Sequence, residues 1–124
     1  LTTGFWGPGL KTPQNARFVE GFLNKYGRYP SFYAAQSYDS IFLINSAVEA
    51  VGGDLQDRDG MRAAMEKADF PSVRGSFSYG ANHFPIQNFY LLEVVADRDG
   101  NWTTEIRSTV FENHQDTYVA DCRL

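Results

Sequence analysis

The feature that most constrains this chain is a change in the spacing of its apolar residues near residue 75. Before that point they recur every three or four residues in three separate blocks, and beyond it they alternate. Spacing near 3.6 belongs to a helix with one buried face and spacing of 2 to a half-buried strand. Three amphipathic helices followed by strands can bury their apolar faces only by packing helix against sheet, so the reading is an α/β fold.

Each block carries its own start and stop. Thr12 reads as an N-cap and Pro13 as the first helical residue, where a missing N–H costs nothing. Phe18, Val19, Phe22, Leu23 and Tyr26 then share a face until Gly27 ends the helix, which predicts Pro13 to Tyr26. After Pro30, Ser31 caps a second helix running to about Val51 and closed by Gly52-Gly53. Ile41, Ile44, Val48 and Val51 form its stripe, while Phe42 and Leu43 widen the apolar surface nearly all the way round. Such a helix needs partners on more than one side, and Phe42, in mid-helix, is expected to be a buried core aromatic. A third helix begins near Asp57, carries Met61, Ala64, Met65 and Ala68 on one face, and stops at Asp69-Phe70-Pro71.

Phe77 and Tyr79, alternating with Ser76 and Ser78, mark a short strand. The run Phe89 to Val95 is a long β-rich segment, turned back by Asp97-Arg98-Asp99-Gly100-Asn101 into Trp102 to Phe111. Trp102, Thr104, Ile106, Ser108 and Val110 are expected on one face of this hairpin. The helices have more apolar surface than so few strands can cover, so the chain reads as part of something larger.

Eleven Lys and Arg against fifteen Asp and Glu give a net charge of −4 with no basic run. Binding nucleic-acid phosphates needs clustered cations, so neither nucleic acid nor an anionic membrane surface is expected as a partner. The longest apolar window, Ile41 to Val51, is broken by Asn45, Ser46 and Glu49 and falls short of the roughly 18 residues of a membrane span. Leu1 to Trp6 lack the basic and apolar regions of a signal peptide, and any export signal is expected to have been removed or to lie upstream. A lone Cys122 permits no internal disulfide. It reads as a free thiol or as half of a bridge to a segment outside this sequence.

No HExxH, GxSxG, GxxxxGK or GxGxxG pattern occurs, so no catalytic residue, metal ligand or cofactor is assigned and the chain is not expected to be an enzyme. His83 and His114 each read as a solvent-facing or loop-bonding side chain. Asp97 to Asn101 superficially suggests a calcium loop, but Trp102 and Ser108 stand where Gly and Glu are required. Asp57 and Asp59 fit the first turn of a helix, whose dipole favours negative charge. What remains is a set of aromatics near helix starts: Phe5 and Trp6 before the first, Tyr29, Phe32 and Tyr33 at the second. Aromatics so placed can line a cleft while free backbone N–H groups face an anionic ligand.

Several stretches resemble one family, the periplasmic solute-binding proteins of the branched-chain amino-acid ABC uptake type. They are Phe18 to Phe22, Lys25 to Asp39 with its Tyr-Gly-Arg-Tyr-Pro-Ser core, Ala68 to Phe77, Asn82 to Tyr90, and the tail Tyr118 to Leu124. They follow in order with matching spacing over nearly the whole chain. The resemblance implies the C-terminal third of a two-lobed, type I α/β binding protein. It implies residues 1–8 at one inter-lobe crossover, 9–88 in the first lobe, 89–95 as a crossover strand and 96–124 in the second lobe. It also implies a periplasmic location, a membrane permease as partner, and capture of an amino acid or similar small carboxylate by cleft closure. A sensory or regulatory ligand-binding domain of the same fold is the alternative. One ligand contact carries over, Tyr33, five residues before Tyr38, and a Tyr there points to a polar or aromatic ligand group. Isolated from the rest, the chain is expected to self-associate through its uncovered faces.

Overall fold

The computed structural model describes residues 1–122; the last two residues of the tail resemblance, Arg123 and Leu124, lie outside the described residues. The helix punctuation acts as the sequence implies. Thr12 has extended backbone and its hydroxyl accepts the Asn15 N–H at 3.1 Å, opening α1 (Pro13–Tyr26), which Gly27 closes at φ +64°. The Ser31 hydroxyl accepts the Ala34 N–H at 3.3 Å and opens α2 (Phe32–Ala50). The Asp57 carboxylate accepts the Gly60 N–H at 2.9 Å and opens α3 (Arg58–Lys67). Ala68, left-handed at φ +51°, ends α3 just before the expected stop.

The strands are β1 (Thr2–Gly4), β2 (Phe77–Tyr79), β3 (Pro85–Ala96) and β4 (Trp102–His114), followed by a 3₁₀ turn at Val119–Asp121. All pairing is antiparallel and centres on β3. Gln87 faces Phe77 on one side and His114 on the other, and Leu91 likewise faces Thr3 and Ser108. Short β1 and β2 therefore share one edge of β3, and β4 occupies the other. The turn between β3 and β4 is built on Asp97, whose carboxylate accepts the N–H groups of Asp99 at 2.9 Å and Asn101 at 2.8 Å while Gly100 takes φ +84°.

Three sequence expectations need correction. The strand expected over Phe89 to Val95 starts four residues earlier, because β2 pairs with residues 85–87, Phe77 opposite Gln87 and Tyr79 opposite Pro85. The face expected to run from Trp102 to Val110 holds only as far as Ile106. Trp102, Thr104 and Ile106 lie opposite Ala96, Val94 and Leu92, but the next pair is Ser108 with Leu91. The extra residue, Arg107, is a bulge that turns Ser108 to the other side of the sheet. Lastly, Phe42 is not core: it is 36% exposed and leans on Tyr38 at 4.9 Å between ring centroids. The buried positions of α2 are Ala35, Asp39 and Ala47, small or polar residues that let the helix approach its neighbours closely.

The core is a cluster of Trp6, Phe18, Ala35 and Val73, with Phe5, Leu10, Val19, Phe22 and Tyr38 packed against it. Loop 5–10 crosses the sheet here. Gly7 fits because a Cβ at that position would stand 3.3 Å from the Ile106 side chain and 3.4 Å from Leu92.

Candidate functional site

Two buried polar residues organise the segments around the amino end of α2, and neither was identified from sequence. Asn15, in the first turn of α1, accepts the indole N–H of Trp6 at 2.8 Å and turns its amide N–H₂ toward the carbonyls of Pro8 and Leu10, each at 3.0 Å. A side chain with few donors and one acceptor is thereby satisfied against the whole of loop 6–10, holding it to α1. Asp39, 1% exposed, accepts the Arg74 guanidinium and the Ser72 hydroxyl on one oxygen, at 2.9 and 2.6 Å, and the Val73 N–H at 2.9 Å on the other. Buried charge is costly unless every lone pair and proton is used, and here the partners are present.

Beside these anchors lies a groove of about 480 Å³ between residues 2–8, the residues entering α2, and the β3–β4 hairpin. Phe5, Trp6, Tyr29 and Phe32 give it aromatic walls, Leu92 and Val94 an apolar floor, and Trp102 with Thr104 closes it on the hairpin side. Phe5 meets Phe32 edge-on at 5.8 Å. The Tyr29 phenol is held above its usual pKa, by burial first and then by the hydrogen bond it gives to Asp97. Asp97 is held below the usual carboxylate range, chiefly by the Asn101 N–H. Ser31 and Phe32, at the amino end of α2, line one end of this groove. The walls suit a flat, largely apolar ligand.

Tyr33, the contact implied by resemblance, occupies the first turn of α2 and is 67% exposed. It does not line the groove itself; its ring lies 4.0 Å, centroid to centroid, from that of Phe32, which does. His83 takes φ +58° and sits 3.3 Å from Glu66, and His114 packs against the Phe89 and Phe111 rings. Cys122 is exposed.

A second groove, about 600 Å³, runs between α2 and α3 and is lined by Leu43, Leu55, Met61, Met65 and His83 among others. It is the larger of the two, but none of the residues that line it is buried and Leu55 is largely exposed. Ligand sites are apolar with a few fixed polar groups, which favours the groove at the head of α2.

An apolar groove with aromatic walls at the amino end of a helix is a candidate ligand site. The chain belongs to the periplasmic binding protein family, whose model matches residues 1–101. Solved relatives include a solute-binding protein of an ABC transporter from Rhodopseudomonas palustris in complex with benzoate, 33% identical with a TM-score of 0.83, covering 99% of this chain and 32% of its own. Another from the same species, in complex with 3,4-dihydroxybenzoic acid, is 28% identical with a TM-score of 0.79 over 94% of this chain and 31% of its own. A leucine-binding protein from Thermotoga maritima, 21% identical with a TM-score of 0.67 over 86% of this chain and 29% of its own, shares the fold. No curated protein sequence matches. The fold is thus α/β, that of part of a two-lobed periplasmic binding protein, and the chain spans about a third of the length of these relatives.

Proposed function

We propose that this chain is one part of a two-lobed substrate-capture subunit of an ABC importer, acting in the periplasm without catalysis and delivering an aromatic carboxylate to a membrane permease. The observation that carries this reading is the aromatic-walled groove at the head of α2, in a chain one-third identical to a benzoate-bound relative. The ring of such a ligand stacks among Phe5, Tyr29 and Phe32, and its carboxylate meets the first-turn N–H groups of α2.

In this reading residues 1–8 and 89–95 are inter-lobe crossovers, 9–88 belong to the first lobe and 96–124 to the second. The pairing of β1 with residues 90–92 supports it, since it sets the two segments side by side. Closure of the second lobe then brings ligand against Tyr33, whose exposure leaves it free to meet an incoming surface. The apolar residues that α2 and β4 expose give the chain on its own a surface for self-association.

Titration calorimetry on the full-length protein tests the reading. Benzoate and 4-hydroxybenzoate are expected to bind at least about tenfold more tightly than leucine, a difference of about 1.4 kcal/mol. Leucine binding more tightly than either aromatic acid would overturn the ligand class.

A further inference from the structure

Arg74 is buried, 8% exposed, and its contacts join parts of the molecule that are distant in sequence. Its Nε donates to Asp39 on α2 at 2.9 Å and one terminal nitrogen donates to Gln87 on β3 at 3.3 Å. The guanidinium lies 3.9 Å from the centre of the Phe77 ring on β2 and 5.9 Å from that of Phe5. Stability does not account for this arrangement. A buried ion pair loses in desolvation about what it gains in attraction, and well-packed apolar replacements are often as stable or more so. What apolar contacts lack is direction: helices on apolar faces slide, whereas a planar guanidinium bonded on two sides admits one placement.

That placement bears on the groove. Asp39 lies two helical turns beyond Phe32, Gln87 lies on the strand that supplies Leu92 and Val94, and Phe5 packs on Phe32; all four of these latter residues line the groove. We propose that Arg74 is a positioning residue for ligand capture, fixing the head of α2 against β3 and so setting the width of the groove, without touching ligand itself. This inference rests on the groove being the ligand site.

The test uses the full-length protein with benzoate as probe and two variants. Gln87→Met removes one arm of the clamp, and the double substitution Asp39→Leu with Arg74→Met replaces the ion pair by apolar bulk. Gln87→Met is expected to melt near the unsubstituted protein and the double variant somewhat lower, because the buried Ser72 hydroxyl and Val73 N–H lose their acceptor. Both are expected to bind benzoate about 2- to 30-fold more weakly, the span that residues acting at a distance give. Amide exchange is expected to quicken at residues 29–33 and 92–94 and to stay unchanged at Phe18 and Val73. Folded variants with unaltered affinity and unaltered exchange at 29–33 would overturn the proposal. If the double variant does not fold, Gln87→Met decides alone by the same criteria. If the unsubstituted protein binds no benzoate, the ligand reading fails, and exchange at 29–33 still decides whether Arg74 sets the position of that segment.

Discussion

The centre of the molecule and its outer faces are built on different terms. Around Trp6, Asn15, Asp39, Val73 and Arg74, polar side chains are buried and bonded, and apolar ones are packed on several sides. On the outer faces the reverse holds: Ile41 and Ile44 of α2, Leu55 before α3, and Trp102 and Phe111 of β4 are large apolar residues open to solvent. A bonded polar group admits few arrangements and an apolar contact many, so the first region has a defined shape while the second is a set of surfaces suited to being covered. The groove at the head of α2 reaches into the first region through Trp6 and Leu92, with Phe32, Val94 and Trp102 on its open rim, whereas no residue that lines the groove between α2 and α3 is buried.

Removing one member of the central pair is the most severe way to break this contrast. Asp39→Ala leaves the Arg74 guanidinium buried without its counter-charge and is expected to cost about 3–5 kcal/mol in denaturant melts. A loss below about 1 kcal/mol, the scale of an exposed ion pair, would mean that the centre is as wet as the outer faces.

Two aromatic truncations sharpen the contrast. Phe18→Ala, in the packed core, is expected to cost about 3–5 kcal/mol. Phe42→Ala, one-third exposed on the outer face, is expected to cost about 1–2 kcal/mol in the 124-residue chain, in keeping with partial burial. A Phe42→Ala cost in the full-length protein equal to that of Phe18→Ala would show that this face is covered there.

Tyr33→Ala is expected to have the smallest effect on stability, within about 0.5 kcal/mol for so exposed a residue. Benzoate binding by the full-length protein is expected to weaken by about 1–3 kcal/mol, as for an aromatic anchor. Unchanged affinity would remove Tyr33 from the site.

Legibility in the sequence followed the range of the interactions. Thr12, Ser31 and Asp57 cap within three residues of themselves, and Gly27 and Gly100 take conformations that glycine alone adopts easily, so helices and hairpin could be read from neighbours. The start of β3 at Pro85 and the bulge at Arg107 depend on partner strands and could not. Phe42 is partly exposed in this chain, and a helix apolar nearly all round does not declare which side is covered. Of the site, the aromatics at helix starts were visible by position. Asn15 looked like an ordinary first-turn residue, and Asp39 meets Arg74 across 35 residues, a separation no local pattern encodes.

Benzoate-dependent amide exchange across the full-length protein tests most directly whether the rigidly held region is the one that takes ligand. Protection is expected in residues 2–8, 28–33 and 92–104, with residues 41–66 unchanged. Protection confined to residues 43–66 and 79–83, the walls of the groove between α2 and α3, would contradict the account.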